Sequence, residues 1–332
     1  MCVAFMQTAV AQAGIPAFAD IIQGKWPPQF EKALNKSLPI YDPSRNFWGG
    51  TEYALFHQGR KGVVVGSDGW LFTDEEFSCE AGGKKNIADN LSFIKNTQVT
   101  LARKNTRLAV ILVPEKVRVL SSHLYGVTLP VCRISLYKNI MGFLRARHIH
   151  AINLLAAMRA APKDSLYLRT DTHWTPAGAK LAAFSVAGLV KKMPDLNLER
   201  RHCVSTSGAV ASYNGDLTRY APGLSPKVLP PDNLSSYTTQ CDAKAGLLDD
   251  SAAPQITLVG TSYSANPKWN FDGFLEEALQ ADILNAADEG QGPLTVMDKY
   301  LASDLWKNDP PKLLIWEIPE RYLLMPHGLA PD

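Results

Sequence analysis

The sequence predicts an α/β protein, a three-layer sandwich in which helices cover both faces of a parallel β-sheet. Four short apolar runs recur along the chain, at residues 108–113, 150–155, 254–259 and 312–318. Unbroken apolar runs are typical of strands that are buried on both faces. Segments with helical periodicity separate these runs, and such alternation indicates parallel βαβ units. The composition, 46% hydrophobic and 20% charged over 332 residues, suits a globular α/β domain of this kind.

The chain is predicted to consist of a lead-in, residues 1–60, and a main domain, residues 61–332. Residues 1–14 contain a weak apolar stretch that ends in Ala-Gln-Ala, as at a signal-peptidase site, but they lack a basic leading region. Two interpretations remain open, the remnant of a secretion signal or membrane anchor, and an ordinary first helix. No apolar run reaches the 18 or so residues that a membrane-spanning helix needs.

The elements of the main domain follow in order. Two β-type runs flank the turn at Gly66–Gly69, which predicts a hairpin. Residues 195–250 are polar and are predicted to be loop-rich. The other elements are a helix at 86–103, a strand at 107–114, a helix at 132–147, a strand at 150–155, a helix at 177–193, a strand at 254–259, a helix at 274–284 and a last strand at 312–322.

Charge and cysteine usage narrow the function classes. The net charge is +2, from 34 basic and 32 acidic residues, which predicts no nucleic-acid partner. The five cysteines include no C-x-x-C pair, so no structural metal site is predicted. In an exported protein, one or two disulfides could form, with three possible full pairings. In a reducing compartment the thiols would be small buried residues. The four cysteines concerned are Cys79, Cys132, Cys203 and Cys241.

A serine-bearing turn follows the third apolar run. Gly260-Thr261-Ser262-Tyr263-Ser264 comes directly after the strand at 254–259. A tight turn at this point would present a hydroxyl at the carboxyl edge of the sheet. Such a serine can act as a nucleophile if a histidine and an acid elsewhere in the chain activate it.

Asp171-Thr172-His173 supplies a candidate acid and base. In an extended loop residues i and i+2 point to the same side, so Asp171 could orient His173 and stabilise its imidazolium. The alternatives are a metal-binding pair or a loop that only begins a helix at Thr175-Pro176. Because both motifs border elements of one parallel sheet, the triad interpretation is favoured over these alternatives.

The motifs together resemble a known family. They resemble the SGNH-hydrolase-like domain of the alginate O-acetyltransferases of the AlgJ/AlgX type, over about residues 60–325. Since Asp171 and His173 precede Ser262, the resemblance implies a circular permutation of the SGNH strand order. The segments that carry it are Asp171–Ala179, Gly260–Ser264 and Trp316–Leu323, with Val113–Lys116 and Gly69–Phe72.

The resemblance implies a triad of Ser262, His173 and Asp171, with Ser262 preferred to Ser264 because it matches the family's nucleophile position. No Gly-x-Asn-Asp block follows the last strand. The oxyanion donors are therefore predicted to be the backbone N–H of Ser262 or Tyr263, assisted by Arg321, Tyr263 or Asn266. The alternative for Arg321 is a structural ion pair with the adjacent glutamate, Glu320.

Three further residues have two interpretations each. Lys116 could hold an anionic uronate, although a solvated lysine at the end of a strand is favoured. Trp174 could stack on a sugar ring, although a place in the core is favoured. Asp216 could contact the site, although a turn residue is favoured.

The implied function is transfer of an acetyl group through an acetyl-serine to an exopolysaccharide hydroxyl, first alginate and second cellulose, without metal or cofactor. The resemblance also implies a periplasmic location, an acetyl supply from a membrane-bound O-acyltransferase, and other exopolysaccharide-export proteins as partners. A separate carbohydrate-binding module is not expected within 332 residues. The rivals are an acetylesterase with the same triad and a non-catalytic polysaccharide-binding subunit.

Overall fold

The computed structural model describes residues 60–79, 81–221, 229–242 and 253–328, and isolated positions between 14 and 38. The chain forms two compact units, residues 1–61 with 219–230, and residues 62–218 with 231–332. All features below belong to the second unit. The signal or anchor predicted at residues 1–14 and most of the lead-in lie outside the described residues, and the domain boundary at residue 60 stays a prediction.

The strands of this unit are β1 (Val63–Val65), β2 (Leu71–Thr73), β3 (Arg107–Val113), β4 (His150–Ile152), β5 (Cys203–Tyr213), β6 (Asp232–Cys241), β7 (Ile256–Val259), β8 (Ile283–Asn285) and β9 (Leu313–Pro319). The helices are α1 (Gly83–Ala102), α2 (Lys116–Val119), α3 (Val131–Ile134), α4 (Leu136–Ala146), α5 (Leu154–Ala160), α6 (Pro176–Val190), α7 (Ser262–Ala265), α8 (Phe271–Leu279), α9 (Pro293–Ala302) and α10 (Asp304–Asn308).

A five-stranded parallel sheet organises the unit, with strand order β4-β3-β9-β7-β8. The predicted α/β class and parallel sheet are confirmed. The serine-bearing strand β7 lies beside the last strand, β9, and Val259 is paired with Trp316. The carboxyl ends of β7 and β9 therefore meet at one edge of the sheet, although a long segment of chain separates them.

Both faces of the sheet are covered by helices, as the three-layer prediction requires. Alternate residues of each central strand enter opposite cores: Leu313 and Ile315 of β9 face one core, and Leu314 and Trp316 face the other. The first core includes α6 and α8, and the second includes α1, α4 and α9. Because each central strand is apolar on both faces, its sequence shows a continuous apolar run.

Three element predictions were wrong in extent. The last strand, predicted to reach residue 322, ends at Pro319, and a short 3₁₀ helix follows at Glu320–Leu324. The predicted helix at 274–284 ends at Leu279, since Gln280 has φ 53° and leaves the helical conformation, and β8 follows as a fifth strand. The predicted strand at 150–155 stops at Ile152. Asn153 then caps α5 by accepting a hydrogen bond from the N–H of Ala156.

The hairpin predicted around Gly66–Gly69 is confirmed as the antiparallel pair β1 and β2. The prediction that residues 195–250 are loop-rich was wrong for 203–213 and 232–241, because β5 and β6 form a second antiparallel hairpin. Most residues of β5 are exposed, so no apolar alternation marks it in the sequence. We call the pair β5 and β6 the clasp hairpin.

The cysteines are paired as Cys79–Cys132 and Cys203–Cys241. The second disulfide joins directly opposed residues of the clasp hairpin at the end remote from Tyr213. This is one of the three pairings that the sequence left open. Among the helices of the described residues, none combines the length and apolarity that crossing a bilayer would require.

Candidate active site

The serine turn, Gly260–Ser264, connects β7 to the short helix α7. Thr261 precedes the helix in an extended conformation, and its hydroxyl accepts a hydrogen bond from the N–H of Tyr263 at 3.4 Å. Ser262 is the first helical residue and is partly exposed, whereas Tyr263 and Ser264 are buried. The strand therefore ends in a turn that leaves one hydroxyl accessible at the carboxyl edge of the sheet.

The histidine loop, Tyr167–Trp174, lies at the same edge. Its two ends pair with each other, and the N–H of Leu168 donates to the carbonyl of His173 at 3.1 Å. Helix α6 begins immediately after the loop, where the Thr175 hydroxyl accepts from the N–H of Gly178. The loop is thus also a helix start, as one alternative proposed, but its tip carries Asp171 and His173 towards the serine turn.

The structure brings the three predicted triad residues together. His173 Nε2 lies 2.7 Å from Ser262 Oγ. His173 Nδ1 lies 2.6 Å from Asp171 Oδ1, which also accepts the backbone N–H of His173 at 2.8 Å. These are the contacts by which an imidazole can take a serine proton while a carboxylate fixes its tautomer. The arrangement can therefore activate the Ser262 hydroxyl.

Asp171 is fully buried, and its second oxygen is also engaged. Oδ2 accepts hydrogen bonds from the Tyr213 hydroxyl and from the N–H of Asp216, each at 2.9 Å. Burial alone would raise the pKa of Asp171, but the hydrogen bonds and charge of His173 and the N–H of Asp216 outweigh it and lower the pKa below its usual value. Asp171 is accordingly held as a carboxylate.

Two aromatic rings confine the imidazole. The Trp269 ring stacks on His173 with centroids 5.3 Å apart, and the Tyr263 ring lies 4.7 Å away at a tilt. The Trp269 indole N–H donates to the carbonyl of Ser262 at 3.1 Å, which ties this ring to the serine turn. These contacts restrict the orientation of the imidazole relative to Ser262.

The clasp hairpin and the turn that follows β5 contribute residues that the sequence did not assign to the site. Asp232 accepts from the N–H groups of Arg169 and Thr170, each at 3.1 Å, and from the Thr170 hydroxyl at 2.7 Å. Asp216 accepts from the Thr172 N–H at 2.9 Å and from its hydroxyl at 2.6 Å. Asp216 thus contacts the site loop, and its favoured interpretation as a mere turn residue was wrong.

Only a weak signal could have revealed these residues. The pair Gly215-Asp216 is typical of a turn, and a Cβ on Gly215 would collide with the backbone of Thr170. The sequence cannot show that close approach. Tyr213 and Asp232 lie in a segment without an apolar pattern, so nothing marked them as partners of the histidine loop.

The side chains that were predicted to assist the oxyanion have other hydrogen-bond partners in the structure. Among the described residues, the Ser262 N–H has no hydrogen-bond acceptor at the start of α7, so it remains a candidate donor. The Tyr263 hydroxyl donates to the carbonyl of Thr172 at 2.5 Å and accepts from Arg321 Nη1 at 3.3 Å. The Tyr263 side chain therefore supports the histidine loop, and Arg321 in turn supports Tyr263. Asn266 caps the next turn by accepting the Lys268 N–H at 3.1 Å.

The ion pair considered between Glu320 and Arg321 was wrong. Arg321 Nε lies 3.0 Å from a carboxylate oxygen of Glu75, whereas Glu320 binds Arg118 through two hydrogen bonds of 2.6 and 2.7 Å. The side chains of Glu320 and Arg321 point to different sides of this turn, so each forms an ion pair with a different residue.

The substrate-binding roles considered for Lys116 and Trp174 were also wrong. Lys116 is 1% exposed, and Nζ donates to the carbonyls of Leu71, Arg169 and Asp171 at 2.5, 3.0 and 2.9 Å. It is neither solvated nor free to bind a uronate; it supports the histidine loop from inside, where burial lowers its pKa to about 8. Trp174 is 0% exposed and packs edge-on against Tyr263 in the core.

Asp171, His173 and Asp216 form one of two groups of residues whose side chains could bind a metal ion. Their potential ligand atoms lie within 4.8 Å of one another. The same atoms are used for hydrogen bonds between the loop and its supports. A second such group includes Cys241, whose sulfur is in a disulfide. The potential ligand atoms of the first group and the sulfur of Cys241 are therefore already engaged in contacts within the protein.

Comparison with known proteins gives consistent matches. The family described as "SGNH hydrolase-like domain, acetyltransferase AlgX" matches residues 63–320. A protein described as "Probable alginate O-acetylase AlgJ" from Pseudomonas aeruginosa is 38% identical over 96% of this chain and 85% of its own length. Its counterpart from Pseudomonas putida is 40% identical over 93% and 83%.

A solved structure has a fold similar to that of this chain. It is described as the "O-Acetyltransferase Domain of Pseudomonas putida AlgJ", and it matches with a TM-score of 0.73 at 40% identity. The match covers 81% of this chain and 93% of that domain. The similarity therefore extends over nearly all of the unit that contains the serine turn and the histidine loop.

Proposed function

This chain belongs to the family of SGNH hydrolase-like acetyltransferases of the AlgX type, and we propose that it is an O-acetyltransferase that acetylates hydroxyl groups of alginate. The relatives described as alginate O-acetylases support the acceptor. The observation that carries the chemistry is the hydrogen-bonded series from Ser262 through His173 to Asp171. Acetylation of cellulose or another exopolysaccharide is the second candidate for the acceptor.

The proposed reaction is a double displacement. His173 Nε2 removes the Ser262 proton as Oγ attacks the carbonyl carbon of the acetyl donor. The Ser262 N–H stabilises the oxyanion of the tetrahedral intermediate. When this intermediate collapses, His173 returns the proton to the leaving group of the donor, and acetyl-Ser262 remains.

The second half-reaction uses the same groups in reverse. A sugar hydroxyl enters, His173 Nε2 takes its proton, and the sugar oxygen attacks the acetyl carbon. Collapse of the second intermediate breaks the bond to Ser262 Oγ, which takes the proton back from His173. Asp171 remains ionised throughout and stabilises the imidazolium. Water can replace the sugar hydroxyl, so slow ester hydrolysis is expected.

The cellular context is also proposed. Two disulfides in a unit of this size suit an oxidising compartment, which supports the periplasm. A membrane-bound O-acyltransferase would supply the acetyl group, and other exopolysaccharide-export proteins would be neighbours. Anchoring to the inner membrane through the N-terminal segment stays a prediction.

The test is a time course with a chromogenic acetyl ester, with and without oligomannuronate. We expect acetylated sugar to accumulate and free acetate to decrease when the sugar is added. Hydrolysis that ignores the sugar would instead identify an esterase, which uses the same acyl-enzyme. Binding of the sugar without any ester turnover would identify a non-catalytic subunit.

The nucleophile is tested separately with Ser262→Ala. We expect kcat to fall by about 10⁶-fold, because knocking out the nucleophile of a serine hydrolase has an effect of this size. Mass spectrometry of the trapped acetyl-enzyme should locate the acetyl group on Ser262. An acetyl group found on Ser264, or ester turnover retained by Ser262→Ala, would contradict this assignment.

A further inference from the structure

A buried glutamate lies directly beneath the serine turn. Glu317 belongs to β9 and follows Leu313 and Ile315 in the row of side chains that faces the core with α6 and α8. An apolar residue would be expected at this position, yet Glu317 is 0% exposed. Since β7 and β9 pair up to Val259 and Trp316, the next residue of each strand brings Gly260 beside Glu317.

The carboxylate of Glu317 is bonded to both sides of Ser262. Oε2 accepts from the Thr261 N–H at 2.7 Å, from the Thr261 hydroxyl at 3.0 Å and from the Ser264 hydroxyl at 3.0 Å. The hydroxyl of Thr261 also lies 3.2 Å from Oε1. One oxygen therefore joins the residue before Ser262 to a residue in the first turn after it.

The glycine of the turn fits this contact. A Cβ on Gly260 would lie 2.5 Å from Oε2 of Glu317 and 2.7 Å from the Ser264 hydroxyl. Any larger residue would push the carboxylate away from the turn. The need for glycine at position 260 is thus explained by close approach to Glu317, independently of the hydrogen bonds.

The polar partners of Glu317 differ from those of the neighbouring buried acid. Glu320 is bonded to the guanidinium of Arg118, a charged partner that lowers its pKa, although burial still raises that pKa above the usual value. Glu317 is bonded to one amide and two hydroxyls of the serine turn, and burial raises its pKa above the usual value. A core position filled only for stability would be served better by an apolar side chain.

We propose that Glu317 is the positioning residue of the nucleophile. By fixing Thr261 and Ser264, it holds Ser262 Oγ at 2.7 Å from His173 Nε2 and keeps the Ser262 N–H directed at the oxyanion. Glu317 does not touch the substrate and acts only through the turn. This inference rests on the proposed transferase function, because it presumes that Ser262 is the nucleophile.

The experiment compares Glu317→Leu, Glu317→Gln and the control Glu320→Gln in the full chain. Each variant is assayed for kcat and KM with an acetyl ester, for the rate at which a sulfonyl fluoride modifies Ser262, and for thermal stability. Glu317→Leu should lower kcat and the modification rate about 100-fold, since a displacement of 1 Å can have this effect, with KM unchanged within twofold.

Glu317→Gln should lower kcat measurably but by no more than about tenfold, because its amide oxygen can still accept the Thr261 N–H whereas its NH2 group cannot accept the Thr261 hydroxyl. Glu320→Gln should lower stability but leave kcat within threefold. Full kcat in Glu317→Leu would overturn the proposal, and so would an equal loss of kcat in Glu320→Gln. If Glu317→Leu does not fold, Glu317→Gln decides: a modification rate and kcat unchanged from wild type together with lowered stability would reduce Glu317 to a structural role.

The two proposals fail in different ways. Ester turnover retained in Ser262→Ala would remove the proposed function, whatever Glu317 does. Loss of turnover in Ser262→Ala together with full turnover in Glu317→Leu would leave the function standing and remove only the positioning role.

Discussion

The serine turn and the histidine loop meet at one hydrogen bond, yet they are held in different ways. Glu317 of the adjacent strand bonds the serine turn at Thr261 and Ser264, while Trp269 and Asn285 each bond one carbonyl of the turn. The histidine loop is held from outside the sheet by Tyr213, Asp216 and Asp232, and from inside by Lys116. Most side-chain hydrogen bonds to Thr261 and Ser264 come from one carboxylate, whereas support for the histidine loop is shared among several side chains.

This difference predicts how well each region tolerates the loss of a supporting side chain. A turn held mainly by one carboxylate should lose most of its geometry when that carboxylate is removed. A loop held by many hydrogen bonds should lose it gradually, since the remaining contacts still restrict it. Substitutions in the two regions should therefore affect kcat to different degrees, even where each removes a similar number of hydrogen bonds.

The largest effect in the histidine loop is expected at its own acid, where the two regions meet. In Asp171→Asn the amide group cannot fix the His173 tautomer that accepts the Ser262 proton, and kcat should fall by about 10⁴-fold. The measurement is ester turnover, with circular dichroism to verify folding. A loss of less than tenfold would show that the carboxylate is not part of the chemistry.

An intermediate effect on kcat is expected from a substitution in the clasp hairpin. Asp232→Ala removes three hydrogen bonds to Arg169 and Thr170 and should lower the free energy of unfolding by about 1–3 kcal/mol. Because Asp216 and Tyr213 still hold Asp171, kcat should fall only about tenfold, less than in Glu317→Leu.

The matched control is Asn233→Ala, an exposed neighbour on the same strand, which should change neither quantity. If Asp232→Ala lowered kcat more than Glu317→Leu does, the contrast between shared and concentrated support would be wrong.

The smallest effect on kcat is expected from removal of the disulfide of the clasp hairpin. Cys203→Ser/Cys241→Ser should lower the free energy of unfolding by about 2–4 kcal/mol. The change in kcat should be less than threefold, because the contacts with the histidine loop lie at the opposite end of the hairpin.

Cys79→Ser/Cys132→Ser provides a comparison at a distance from the hairpin, and it should also leave kcat within threefold. A loss of activity restricted to the Cys203/Cys241 variant and larger than that of Asp232→Ala would show that the covalent link, rather than the hydrogen bonds, positions the loop.

The sequence predicted the parts of the molecule whose causes are local. Apolar runs predicted four of the five strands of the sheet, and the Asp-x-His and Gly-x-Ser patterns marked the loop and the turn that meet at its edge. Glu317 also had a visible signal, an acid inside the apolar run Leu-Leu-Ile-Trp-Glu-Ile. Its partner could not be inferred, since strand order and register decide it.

The sequence did not predict the supports that come from distant segments. The clasp hairpin has mostly exposed, small polar residues, so periodicity did not distinguish it from a loop. Lys116 was expected in water because lysines at strand ends usually are, yet three carbonyl groups from two segments surround its ammonium. Long-range packing overrode the local preference in both cases.

The separation of 89 residues between His173 and Ser262 has a consequence for how the chain acquires its reactivity. A contact between such distant residues forms only after the intervening loop has closed, which places it late in folding. Until β7 has joined β9, Ser262 is an ordinary alcohol that has neither base nor oriented amide. The nascent chain is therefore latent: its nucleophile becomes reactive only when the finished tertiary structure brings the two segments together.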